Sequence, residues 1–280
     1  MTRFAAVFVW LAAAVSAFSA EVVDGNGRRV VLPENPRAVA ISPAAVDVVV
    51  WAGARKNLVA VSAYSYIGGD SLPVVGTSYC LDWERVILLK PDVVITSNIR
   101  DESVERRLAR FGIKCVYLHK EGLANIPEDV RLAGEIFGTR PVAEAAAERF
   151  KRAVLRRRSG AKIPALFLFG SVAAGKGSYV SDLLSNFGFE NCADKTESAW
   201  PVLTREFILR ENPRALFLAV ASPEQRADEL ARLRADPVWG GIDAVRNNRV
   251  YFVEMDKIII SSPRVEASAE LLQKAREDFE

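Results

Sequence analysis

Along the chain, short apolar runs alternate with stretches in which apolar residues recur every three or four positions. Residues 37–41, 57–61, 92–96 and 113–118 have the length and β-branched content of buried strands. Between them lie helix signals. Ser42-Pro43 reads as an N-cap followed by proline at the first helical position. Val46, Val49 and Val50 then share a face, and Gly53 marks a stop. Val104, Leu108 and Phe111 recur at helical spacing, closed by Gly112. The second half repeats the alternation: strands at 165–169, 215–220 and 250–253, a helix over 181–187 stopped by Gly188, and a last helix from Ser262-Pro263. Strands alternating with helices imply α/β architecture with mostly parallel sheets.

Residues 141–158 break the alternation. Val142, Ala146, Phe150 and Val154 recur every four residues, and Glu148 precedes Arg152 by four. The spacing predicts one long helix of about five turns. Arg156 to Arg158 fall near its C-terminal end, where the helix dipole favours cations, and Ser159-Gly160 closes it.

An internal repeat adds the organisation. The segment from Asp82 through Glu84 and Pro91 to Ile95 aligns with that from Thr204 through Glu206 and Pro213 to Phe217. Each copy has a capping residue, a Glu two positions on, one apolar helical turn, a proline stop and a strand. The long helix lies between the copies. The expected architecture is a leader (1–20), an N-terminal lobe (21–140), a linking helix (141–159) and a C-terminal lobe (160–280). A carboxylate in a first helical turn offsets the helix dipole. Placed equivalently in two lobes, Glu84 and Glu206 could also clamp a partner through arginines.

The leader follows from MTRFAAVFVWLAAAVSAFSA: a basic start, an apolar run and small residues before charge resumes at Glu21. This is the layout of a secretory signal peptide. No Cys follows the run, so a lipid anchor is not expected. The expectation is an exported, soluble, periplasmic protein. Cys80, Cys115 and Cys192 form no CxxC pair. An oxidising compartment permits one disulfide among them, and Cys115 sits in an apolar run that should be buried.

Charge and composition remove function classes. With 37 basic and 35 acidic residues the net charge is +2, which gives no support to nucleic-acid binding. One histidine in 280 residues argues against a resident His-rich metal site. Gly170 to Gly177 nearly matches a phosphate-binding loop, but Gly177 stands where the magnesium-binding hydroxyl belongs. An exported protein also meets no ATP, so a flexible ligand-facing loop is the better reading. There is no GxSxG elbow. His119, just after a strand, is a rim residue, a ligand contact or, paired with a Ser and an Asp, the base of an exported hydrolase.

What remains is binding in a cleft at the carboxyl ends of the strands. Tyr64, Tyr66, Tyr79, Tyr179 and Trp200 fall on loops there and suit a flat or conjugated ligand. Arg100 could meet ligand carboxylates or start a helix.

The ordered set Asp24-Gly, Leu32-Pro-x-x-Pro36-Arg37, Val74-Val-Gly76, Trp83-Glu84-Arg85, Leu89-Lys-Pro91-Asp92, Trp200-Pro201, Glu206, Asn212-Pro213, Arg249-Val250-Tyr251 and Ser262-Pro263-Arg264 resembles the periplasmic solute-binding proteins of iron-siderophore, haem and vitamin B12 ABC importers. The resemblance covers nearly all of the chain after the leader. It implies two Rossmann-like lobes joined by one rigid helix and no catalysis. The cargo would be a metal chelate (ferric siderophore, cobalamin or haem), and the partner an ABC importer permease dimer in the inner membrane. Glu84 and Glu206 match the family's permease-docking glutamates. A monomer without cofactor is implied. Residues 41–44, 62–65, Trp200-Pro201 and Asp256 are similar to the cobalamin-binding members. Two positions depart: Tyr79 is one place out of register for an aromatic before Glu84, and Ile260 stands where an Arg follows Asp256. Haem, with His119 or a tyrosine as axial ligand, and ferric siderophores stay open, as does a sensor or scavenger without a permease.

Overall fold

The computed structural model describes residues 19–280, apart from 66–71, 78–79 and 98–99. Most of the leader, Tyr66 and Tyr79 lie outside the described residues. Among the described residues no helix is long and apolar enough to cross a membrane.

The chain opens with an antiparallel hairpin of β1 (Ser19–Val23) and β2 (Arg29–Pro33). The N-terminal lobe then runs β3 (Ala38–Ala40), α1 (Pro43–Trp51), β4 (Leu58–Val61), α2 (Trp83–Leu88), β5 (Val93–Thr96), α3 (Glu102–Ala109) and β6 (Lys114–Tyr117). Its four strands are parallel in the order β4-β3-β5-β6. Successive strand residues point to opposite faces. Ala38, Ala40, Val93, Ile95 and Val116 pack towards α1, whereas Val39, Val94, Cys115 and Tyr117 pack towards Val86 and Leu108 of α2 and α3.

Two helices follow, α4 (Ile126–Ile136) and α5 (Arg140–Val154). The C-terminal lobe comprises β7 (Ile163–Phe169), β8 (Val172–Ala173), α6 (Tyr179–Asn186), β9 (Phe189–Asn191), α7 (Arg205–Glu211), β10 (Ala215–Val220), α8 (Gln225–Ala235), α9 (Asp243–Arg246), β11 (Val250–Glu254) and α10 (Glu266–Glu277). Strands β11, β10, β7 and β9 run parallel, and β8 folds back antiparallel on the end of β7.

Helix α5 joins the lobes by sharing its apolar stripe between two cores. Ala143 and Ala146 belong to the N-terminal core, and Phe150 and Val154 to the C-terminal one. The stripe starts at Ala143 rather than Val142, which is exposed. The helix is also shorter than the sequence implies. The Asn186 side chain donates to the Val154 carbonyl and the Arg158 amide donates to the Asn186 carbonyl, so α6 caps α5 and turns the chain away. Arg156 to Arg158 therefore lie beyond the helix, and Arg158 reaches Gln273 and Glu280.

Helix α4, absent from the sequence reading, packs against α5. The crossing is close: a Cβ on Gly134 would stand 2.4 Å from that of Ala143.

The repeat is structural. Asp82 caps α2 through the Arg85 amide, and Thr204 caps α7 through that of Phe207, each cap being worth about 1 kcal/mol. Lys90 and Asn212, 122 residues apart, both take the left-handed conformation before the proline, at φ 47° and 40°. The three cysteines are free, with Cys115 and Cys192 buried.

A buried ion pair crosses between the lobes. Asp47, inside α1, accepts a hydrogen bond from Arg264 Nε at 2.9 Å, and Arg264 Nη2 lies 2.8 Å from the same carboxylate oxygen as an ion pair. One turn on, Trp51 lies under the Arg149 guanidinium at 4.4 Å, and Arg149 pairs with Glu266. Removing one partner of a buried pair costs about 3–5 kcal/mol. Asp47→Ala is therefore expected to lower the urea-unfolding free energy by about that amount, with Arg264→Ala close behind. A loss under about 1 kcal/mol, the level of exposed pairs, would show that the pair does not join the lobes.

Candidate functional site

The carboxyl ends of the strands supply the loops that face one another across the lobes. From β3, β5 and β6 come residues 42–44, Ser97 and 118–122; from beyond β11 come residues 259–261. With Ile126 and Asp129 of α4 they line a cavity of about 310 Å³. A second hollow of about 390 Å³ meets it at Ser97 and is lined by Trp83, Arg107 and Tyr117 among others. Arg107 sits over the Trp83 ring at 5.0 Å.

His119 is the titratable centre of the first cavity. Its Nδ1 lies 2.7 Å from Asp129 Oδ1, and the same oxygen accepts the His119 amide at 2.8 Å. Asp129 is buried. Its hydrogen bond raises the pKa of His119, while burial raises that of Asp129. The strand that delivers His119 is held from behind: the Tyr117 amide donates to Asp24 Oδ2 and the Gly25 amide donates to the Tyr117 carbonyl. A Cβ on Gly25 would come within 2.2 Å of the Leu118 carbonyl carbon, so the Asp24-Gly25 turn must approach this closely. Sequence reasoning missed Asp129, because no local signal links it to a residue ten positions earlier. Ser42 was visible as a helix cap, a role it fills by accepting from the Ala45 amide, and as part of the segment 41–44 similar to the cobalamin-binding members. No serine hydroxyl is hydrogen-bonded to His119 among the described residues, so the Asp–His pair has no assembled nucleophile.

The other expected ligand contacts are dispersed. Tyr64 is 89% exposed, at φ 64° in the turn after β4. Arg100 is engaged by Glu105 at 2.9 Å, just before the Asp101 cap of α3. Asp256 is exposed just past β11. Tyr179 is not on a loop: capped by Ser178, it begins α6, buries its ring and donates its hydroxyl to the Ile258 carbonyl. Burial pushes that hydroxyl well above its ordinary pKa. Trp200 is 41% exposed and rests edge-on against Phe169 and Tyr179, with centroids at 5.6 and 6.0 Å. None of these five lines the His119 cavity. The glycine-rich segment is no phosphate cradle either. Its amides at Ala173, Ala174 and Gly175 are spent on the Pro201, Phe167 and Ala199 carbonyls.

Glu84 and Glu206 are exposed in the first turns of α2 and α7. Hydrogen bonds from its own amide and from Thr204 hold the Glu206 carboxyl below its ordinary range.

Two parallel-sheet lobes, one shared helix and a cavity between strand ends define a two-lobed ligand receptor. The family model described as "Periplasmic binding protein" matches residues 38–256, and the chain belongs to that family, one of binding proteins rather than enzymes. Among curated relatives, the vitamin B12-binding protein of Pectobacterium carotovorum is 28% identical over 205 residues, covering 68% of this chain and 73% of that one. That of Salmonella choleraesuis is 27% identical over 250 residues, covering 86% and 90%. Among solved structures, the periplasmic vitamin B12-binding protein of Vibrio cholerae superposes with a TM-score of 0.70 at 19% identity, covering 88% of this chain and 98% of that one. The periplasmic haem-binding protein of the same organism gives 0.75 at 19%, covering 88% and 99%. A molybdate-binding protein of Haemophilus influenzae gives 0.74 at 16%, covering 92% and 91%. One fold thus serves chemically distinct ligands.

With a single histidine in the chain, one imidazole resonance reports the site in untagged protein. It is expected to titrate above 6.5, the ordinary value, and to drop in Asp129→Asn. The linkage follows: the pair's contribution to stability is full below the unfolded value and is lost as pH rises through the higher folded one. A resonance titrating below 6.5 in the wild type would remove the Asp129 interaction.

Proposed function

We propose that this protein is exported to the periplasm, captures a metal chelate of the cobalamin, haem or ferric-siderophore class between its lobes, and passes it to the permease of an ABC importer. The observation that carries this reading is the pair of exposed glutamates, Glu84 and Glu206, at the same position of the same capped helix in each lobe. A single receptor carrying two equivalent carboxylates suits a partner of two like subunits, each offering an arginine. The curated relatives named for vitamin B12 and the solved structures named for vitamin B12 and haem support the cargo class. Helix α5, rooted in both cores, and the Asp47–Arg264 pair favour a small closure over a wide hinge motion. Trp200, exposed beside Tyr179, provides a flat aromatic face for the cargo to meet.

Two measurements test this. Glu84→Ala combined with Glu206→Ala is expected to leave ligand affinity within about twofold and to abolish uptake in cells; normal uptake would refute docking through these residues and favour a permease-independent scavenger. Titration with cobalamin, ferric haem and a ferric siderophore is expected to quench tryptophan fluorescence for at least one of them, with the signal reduced in Trp200→Phe. A flat response to all three would refute the cargo class.

A further inference from the structure

Resting on the reading of a chelate receptor, we propose that His119 Nε2 is a direct ligand to the metal of the cargo, and that the cargo's metal accordingly keeps an exchangeable coordination position.

The geometry is that of a ligand prepared in advance. Asp129 Oδ1 accepts both the His119 amide and its Nδ1, so the ring cannot turn without breaking a bond inside the core. A carboxylate accepts only, so in the neutral imidazole the proton resides on Nδ1 and the lone pair on Nε2. A carboxylate behind the second ring nitrogen is the arrangement that orients metal-bound histidines and raises their basicity. Nε2 has no hydrogen-bond partner among the described residues, and His119 lines the cavity with a third of its side chain exposed. Among the described residues nothing consumes this donor.

The class of cargo follows from the donor's isolation. No group of three or more His, Cys, Asp or Glu able to hold a metal ion exists among the described residues. One imidazole cannot retain a bare cation against water. The metal must therefore arrive with its other positions filled by an organic chelator. A hexadentate siderophore leaves Nε2 nothing to bind, whereas a planar macrocycle leaves its axial positions open. The neighbours suit such a plane: Pro43, Ala44, Ile126 and Ile260 are apolar, and Lys120 beside His119 can meet an acidic substituent. In the binding step the Nε2 lone pair forms a coordinate bond to the metal and a bound water leaves. The oxidation state is unchanged, and the Nδ1 proton stays in its hydrogen bond to Asp129.

Ferric haem is the probe, used with untagged full-length mature chain. Wild type is expected to shift the Soret band and show imidazole-ligated iron by electron paramagnetic resonance. His119→Ala is expected to lose that signature and to bind haem at least tenfold more weakly, with free imidazole restoring the spectrum. Asp129→Asn, which retains the ligand, is expected to weaken binding by about 10–100-fold. Metal-free protoporphyrin separates coordination from ordinary contact, and is expected to bind wild type and His119→Ala alike. Identical haem spectra and affinities in wild type and His119→Ala would overturn the ligation and leave the receptor reading intact. So would binding of a ferric trihydroxamate with no binding of haem or aquacobalamin. Failure of all three to bind would overturn the chelate cargo class on which this proposal rests.

Discussion

The ion pair between Asp47 and Arg264 is the constraint on which the cleft depends. Asp47 lies on α1 four residues beyond Pro43, and Arg264 lies three beyond Ser261; Pro43 and Ser261 both line the cavity. Their separation is set by a bond between two charges taken out of water. Burial pushes the Asp47 carboxyl above its ordinary range, and Arg264 opposes that shift. Such a pair is costly to form and more costly to break on one side, so it specifies geometry rather than adding much net stability. Together with α5, whose stripe belongs to both cores, it makes two lobes with separate sheets behave as one receptor.

Within that frame, each lobe aims its chemistry in the same direction for the same reason. In a parallel sheet every strand delivers its next residue to the same edge, and the loops there are free of the hydrogen-bond ladder. His119, Ser97 and Ser42 reach the cavity this way. The two glutamate-bearing helices follow from the repeat: a cap, a short helix, a left-handed residue and a proline return the chain to a strand in both lobes. The glutamates protrude because these helices are only one or two turns long and bury one side.

Much of the scaffold was legible in the residues. The strands at 93–96, 114–117 and 215–220, the Ser42 and Ser262 caps, and the repeat with its glutamates all rest on local rules of periodicity and capping. Helix α4 was missed because its apolar residues mix with Glu128, Asp129, Arg131 and Glu135 and include Gly134, which disfavours a helix in isolation; in the fold, Gly134 is what allows α5 to approach. Helix α5 was overextended because its sequence is helical to Arg158, while its stop comes from Asn186, a residue 32 positions beyond Val154. Tyr179 read as a loop aromatic because the helix was taken to begin at Ser181, whereas Ser178 caps it and Tyr179 begins it.

By itself the sequence determined the alternation of strand and helix, the duplication and the class of receptor it resembles. Each of these is written in spacings of a few residues or in a repeated string. Only the tertiary structure decided which side chains share the cavity. The Asp129–His119 pair, the hairpin turn behind it and the Asp47–Arg264 pair join residues 10, 93 and 217 positions apart. No local propensity encodes such meetings; they come from which face of each helix the cores bury and from the order in which parallel strands lie side by side.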